Sequence, residues 1–186
     1  DMLGGIVQAV HGIATVQDWS SVEILMSADE EVGSRSSRSL IEERALACGA
    51  VLVLEGAADG GAIKIGRKGC GTFRIDIKGR ASHAGLEPEA GINALIEASH
   101  QVIEITGLGR ADIGTTVTPT VATAGTTDNV VPAEAKVIVD VRVESADEKE
   151  RLETAFAALA PHLPGAAITV SGGVNRPPMP ESASAE

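Results

Sequence analysis

Apolar and polar residues divide the chain into two stretches with different periods. In LGGIVQAVHGIATV, residues 3–16, Ile6, Val7, Val10, Ile13 and Ala14 fall at helical spacing. VEILMSA, residues 22–28, is an apolar run too short for a helix and typical of a buried strand. A Gly-Ser turn leads into SLIEERALACG, an amphipathic helix closed by Gly49, and then into AVLVLEGA, a second buried strand. Helix, strand, helix, strand with continuous apolar strands is the pattern of a parallel sheet covered on both faces.

From Gly69 the period changes to two. GCGTFRIDIKGRA alternates apolar and polar residues, as a half-exposed antiparallel strand does. Residues 89–106 read as a helix with Ile92, Leu95, Ile96, Val102 and Ile103 on one face. Alternating stretches near 115–124 and 134–144 follow, joined by a turn around Asp128 and Asn129. A helix near 147–160 and the strand AAITVSG complete the series. The order β-α-β-β-α-β predicts a four-stranded antiparallel sheet with two helices on one face. The expected fold class is α/β: residues 1–66 as part of a parallel-sheet domain, residues 67–173 as a complete two-layer domain, and residues 174–186, Pro-rich, as a segment returning toward the first. The first stretch is too short to bury a proper core alone.

Composition narrows the partners. Aromatic residues are 2% of the 186, with Trp19 as the one tryptophan and no Tyr, so the core must be built from Val, Ile, Leu and Ala. The net charge of -11 and the missing aromatic platforms argue against nucleic acid and against an anionic membrane surface. No apolar run approaches the roughly 20 residues that span a bilayer, and no signal peptide opens the chain. Cys48 and Cys70 have no CxxC spacing; two buried thiols in a reducing cytoplasm are expected, with a single disulfide as the alternative. GRKGCG lacks the GK[ST] ending of a phosphate loop and precedes a strand.

Candidate chemistry lies at the ends of the apolar strands, where sites assemble in open parallel sheets. Glu30 and Glu31 follow the first and Glu55 ends the second. Asp29, Glu30 and Glu31 in a row repel one another unless a cation or shared protons offset the charge, although a solvated acidic turn has the same composition. Asn129 suits a turn as well as a binding site, and Arg142 has Asp140 and Glu144 within pairing reach. His11, His100 and His162 are assigned to structure or surface.

DMLGG, SADEEVGS, VLEGA, GRASHAG with INALIEAS, DNVVPAEAKVIVDVR and NRPPM occur in that order along the whole chain. Together they resemble the di-zinc amidohydrolase family of glutamate carboxypeptidase, aminoacylase, acetylornithine deacetylase and succinyl-diaminopimelate desuccinylase. The wording is nearest to the bacterial glutamate carboxypeptidases. The resemblance implies a zinc-dependent hydrolase of amide or peptide bonds in an N-acyl or peptidyl amino acid with a free carboxylate, while the cysteines point to the cytoplasm, with a periplasmic or secreted location as the alternative. The resemblance also implies two zinc ions per site in the intact protein, with cobalt or manganese as substitutes, and a homodimer formed through the second, lid domain. Asp1 matches the bridging ligand, Glu31 and Glu55 terminal ligands, and Glu30 the general base that takes a proton from the attacking water. His83 matches a histidine presented to the partner subunit's site, where an imidazole can stabilise the developing oxyanion. Asn129, Arg142 and Arg176 match substrate-holding groups, the guanidinium being suited to carboxylates. Leu3 stands where the family commonly has Lys.

The family's remaining ligands, in an upstream HxD and a later histidine, have no counterpart in this sequence. Asp1, Glu31 and Glu55 offer oxygen only, whereas zinc takes about four ligands with nitrogen or sulfur among them. These residues alone are therefore expected to be inactive. The alternative is a non-catalytic dimerisation or ligand-binding module, since a split βαβ fold serves many binding proteins.

Overall fold

The computed structural model describes residues 2–181, and Asp1 lies outside them. The chain divides into two compact units, residues 1–64 and 65–186. Helices α1 (Met2–Ile13) and α2 (Arg38–Leu46) belong to the first.

The second unit is built on β1 (Gly69–Lys78), whose alternate residues Phe73, Ile75 and Ile77 are buried. It is followed by α3 (Ala94–Thr106), β2 (Thr116–Ala124), β3 (Glu134–Val143), α4 (Ala146–Ala157) and β4 (Ala167–Arg176). The strands form one antiparallel sheet in the order β2-β3-β1-β4, the split βαβ topology that the alternation predicts. Ala135, Val137, Val139, Val141 and Val143 of β3 continue the buried stripe, and α3 and α4 close over it with Ala94, Ala98, Ile105, Leu152 and Phe156. Phe156 lies flat on Phe73 with ring centroids 3.8 Å apart.

Local chemistry sets the helix starts. Asn93 Oδ1 accepts hydrogen bonds from the amides of Leu95 and Ile96, which places the N-cap there. The helix expected over 89–106 therefore begins at Ala94, after a short 3-10 turn at Pro88–Ala90. Ser145 caps α4 by accepting from the Glu148 amide. β4 runs on to Arg176, and Arg67 and Met179 bond to each other by their backbones, so residues 174–179 lie along the sheet within this unit.

In the first unit, the apolar runs 22–28 and 50–57 form no strand ladder among the described residues. Apolarity reports a need for cover, but a strand exists only with a hydrogen-bonded partner, and Leu52 and Val53 are 83% and 78% exposed. Leu54 of the second run instead lies against α1: a Cβ on Gly5 would stand 2.2 Å from the Leu54 carbonyl oxygen, so only glycine permits this approach. Both cysteines are free; Cys48 is exposed and Cys70 half-buried, so neither is the buried thiol expected. Cys48 follows α2, which buries no residue and offers nothing to cover a thiol. Among the described residues no helix is long and apolar enough to cross a membrane.

Candidate active site

In the first unit, Glu30 and Glu31 open a 3-10 turn, Glu30–Val32, and both are exposed. Asp29 does not join them in a cluster of like charge. Its carboxylate accepts from the Ser36 amide at 2.8 Å, the Ser36 hydroxyl at 2.7 Å, the Ser37 amide at 3.2 Å and the Ser37 hydroxyl at 2.5 Å. Hydrogen bonds from Ser37 and then Ser36 hold it well below the usual carboxylate range. Serine donors thus offset the charge of Asp29 itself. Glu55 is exposed at the end of the second apolar run and, with Gly56 and Ala57, lines a hollow of about 350 Å³ against Gly4, Gly5 and Gln8 of α1.

Among the described residues no three His, Cys, Asp or Glu side chains gather as a metal centre. Glu31 and Glu55 supply oxygen only, so the described residues do not by themselves meet zinc's usual ligand set.

In the second unit the ladder between β1 and β3 continues past its last strand residues. Gly79 donates to the Ala133 carbonyl, Val131 to Ser82, and Ala84 to Asn129, while His83 bridges to Val130. That pairing brings His83 beside Asn129. The backbone amides of Gly85 and Leu86 both donate to His83 Nδ1 at 3.1 Å. An accepting Nδ1 leaves the neutral ring's proton on Nε2, which makes Nε2–H a donor on an exposed imidazole. Next to the pair lies a groove of about 540 Å³ lined by Ala84, Asn93, Gly125, Thr126, Thr127 and Asp128 among others.

Arg142 and Arg176 stand at the opposite end of the sheet. Both are register partners of Cys70, one on each side of it, while Lys78, next to the His83 loop, pairs with Glu134. Eight residue steps of about 3.4 Å from Cys70 to Lys78 put the two ends roughly 27 Å apart. Arg142 is held in a two-pronged bond to Asp140, with Nε at 2.9 Å and Nη2 at 3.0 Å, and this contact raises its already high pKa. Of the two pairings open to Arg142 in the sequence, the one with Asp140 is formed.

The sequence pattern does not point to the bonding of Asp29 or to the groove residues Asn93, Thr126 and Thr127. The signal for Asp29 is the Ser-Ser pair seven and eight residues later; Thr126 and Thr127 differ in no readable way from other loop threonines. His100 and His162 stack with centroids 5.1 Å apart, and His162 Nε2 lies 2.7 Å from Glu104.

The sheet and its two helices define the class of the second unit: a two-layer α/β module of split βαβ topology. Residues 65–166 match the M20 peptidase dimerisation domain, and the chain belongs to that family. Carboxypeptidase G2 of Pseudomonas sp. is 38% identical over 128 residues, covering 68% of this chain and 31% of that protein. A p-aminobenzoyl-glutamate hydrolase homolog of Haemophilus influenzae is 40% identical over 77 residues, covering 40% of this chain and 18% of its own length. Of solved structures, aminopeptidase PepT from Bacillus cereus superposes with a TM-score of 0.64 at 24% identity, covering 84% of this chain and 42% of that one, a likeness of fold. The aminobenzoyl-glutamate utilization protein from Klebsiella pneumoniae superposes with a TM-score of 0.55 at 25% identity, covering 69% of this chain and 35% of that one. The chain thus spans about a third or less of these two curated relatives, which are a carboxypeptidase and a hydrolase homolog.

Proposed function

We propose that these residues are part of a metal-dependent hydrolase that cleaves the amide or peptide bond of an N-acyl or peptidyl amino acid with a free carboxylate, glutamate derivatives first. The 38% identity to a carboxypeptidase over 128 residues supports the reaction class. The observation that carries the site reading is the His83 imidazole, whose Nδ1 is engaged by two backbone amides so that Nε2–H is the group offered. A fixed donor of this kind suits the oxyanion of a tetrahedral intermediate.

Glu30 takes the proton of the attacking water. Asp1, Glu31 and Glu55 would hold the metal pair, zinc in the first place with cobalt or manganese as substitutes, and the nitrogen ligands come from residues outside this sequence. Bound metal would supply an acidified water and polarise the scissile carbonyl. Asn129 and the arginines Arg142 and Arg176 hold the substrate. The roughly 27 Å between the His83 end and the arginine end is too long for one small substrate to touch both ends of one copy. That separation supports a homodimer in which the lid domain of one copy serves the other's site.

The test compares the 186-residue chain with the longer enzyme for zinc content and hydrolysis of N-acyl glutamate. The chain alone is expected to be inert, and Glu30→Gln in the enzyme to cost about 10²–10⁴ in kcat while zinc is retained. Stoichiometric zinc with turnover by the chain alone, or full turnover by the Glu30→Gln enzyme, refutes the reading. His83→Ala should remove turnover and leave sedimentation as a dimer unchanged. A second reading, a dimerisation or ligand-binding module without catalysis of its own, is favoured by the self-contained core of residues 69–176. Turnover that survives His83→Ala would favour it.

A further inference from the structure

Three acidic residues in succession at 29–31 take two different orientations: Glu30 and Glu31 are exposed, and Asp29 is half-buried beneath Ser36 and Ser37. We infer that Asp29 is the positioning residue that fixes the turn on which Glu30 and Glu31 are presented. The inference rests on the roles proposed above for those two glutamates.

Both ends of Asp29 are used. Its side chain accepts the four hydrogen bonds from Ser36 and Ser37, and its carbonyl oxygen accepts from the amides of Val32 at 3.3 Å and Ser34 at 2.8 Å. The loop from 29 to 37 is therefore closed on a single residue. The turn it closes is a demanding one. Gly33 has φ 91° and Ser34 φ 52°, and Ser34 is the one non-glycine with positive φ among the described residues. An L residue keeps that conformation only where its surroundings impose it.

Packing does not impose it here, because neither the turn nor α2 buries a residue. Ser37 stands at the N-cap of α2 yet makes no side-chain cap bond to its own helix. Its hydroxyl is turned back to Asp29, so the carboxylate replaces the local cap and ties the start of α2 to the glutamate turn. Loss of the Asp29 carboxylate removes all four of these ties at once. A shift of about 1 Å at a reacting group can cost 10²-fold in rate.

The test uses Asp29→Ala, Asp29→Asn, the pair Ser36→Ala with Ser37→Ala, and Glu43→Ala as an exposed control. In the 186-residue chain, amide exchange by NMR should show Ser34, Ser36 and Ser37 losing at least about tenfold protection in Asp29→Ala, with the sheet domain unchanged. In the longer enzyme acting on N-acyl glutamate, the same variant should lose about 10²-fold in kcat with KM within about twofold. Asp29→Asn, which keeps an acceptor oxygen, should recover part of both, and the serine pair should resemble Asp29→Ala. Unchanged exchange in Asp29→Ala overturns the inference, as does near-normal kcat in that variant where Glu30→Gln is dead. Normal turnover by Glu30→Gln is a different failure: it removes the base assignment, and the positioning role falls with it.

Discussion

Glu97 is fully buried on α3, and its carboxylate is the hub that holds the link between α4 and β4. It accepts from Gln101 Nε2 at 2.8 Å, from the His162 amide at 3.1 and 3.0 Å with its two oxygens, and from the Leu163 amide at 2.7 Å. Glu97→Ala removes the acceptor of two backbone donors, while Gln101 Nε2 keeps the Ala160 carbonyl at 2.8 Å. A buried donor left unsatisfied costs about 1–3 kcal/mol. His162 is exposed and Leu163 only half-buried, so water reaches part of the vacated site, and the lower half of that range applies to each of the two donors: about 2–4 kcal/mol in total. Burial raises the Glu97 pKa, but the bonds from Gln101, Leu163 and His162 outweigh it and leave the folded value below the ordinary 4.5. A depressed folded pKa contributes stability that is present above 4.5 and lost as pH falls through the lower folded value. Urea unfolding should be followed by far-UV circular dichroism, because Trp19 is exposed in the other unit and its fluorescence does not report on the sheet. Glu104→Gln is the control: that side chain meets His162 at 2.7 Å but is 43% exposed, and its loss should cost under about 1 kcal/mol. A loss below about 0.5 kcal/mol in Glu97→Ala, or an equal loss in the control, would refute the hub.

Other parts of the domain give sharper tests of single contacts. Glu148, buried at the start of α4, is pulled down to about 2 chiefly by its bond from Arg151, against the effect of burial. The stability it contributes is full above 4.5 and disappears as pH falls toward 2, so Glu148→Gln should flatten the melting temperature against pH across that window; a wild-type slope in the variant would count against it. Phe156→Ala removes the ring stacked on Phe73 and should cost about 3–5 kcal/mol in urea unfolding, and a value near 1 would mean that the site collapses to fill the space. Gly71→Ala would set a Cβ 2.3 Å from the Gly173 carbonyl oxygen and 2.5 Å from Val174 Cα, both backbone, so the β1–β4 pairing must yield at about 3 kcal/mol or more, whereas Thr72→Ala next to it should stay within about 0.5.

The sheet domain is legible because its one covered face writes burial into alternate residues. β1 and β3 show this most clearly, with every second residue of VIVDVRV inside. One departure is at an end, where one side chain decides: Asn93, by capping α3, moves a helix start from 89 to 94. Another is the face of α3, which buries Ala94, Glu97, Ala98, Gln101 and Ile105 and leaves the expected Leu95, Ile96 and Ile103 exposed. The apolar runs at 22–28 and 50–57 are a different kind of signal. They state that cover is needed, and say nothing about which strand would pair with them.

The site is less legible than the fold because its contacts join residues with no shared period. Asp29 reads as one of three carboxylates short of a counter-charge, and its counterweight is two serines on the far side of a loop. His83 and Asn129 are 46 positions apart and meet only because the β1–β3 register continues beyond the strands. The β1–β3 register also sets Arg142 opposite Cys70 at the other end, and the β1–β4 register sets Arg176 there from the other side, so the approach of one pair and the remoteness of the other follow from the strand pairings along β1. Once β3 is known to lie antiparallel to β1, residues just before β3 must stand with those just after β1, and residues at the end of β3 with the start of β1. Pairing partners, more than residue types, are what a sequence of this kind leaves to the structure.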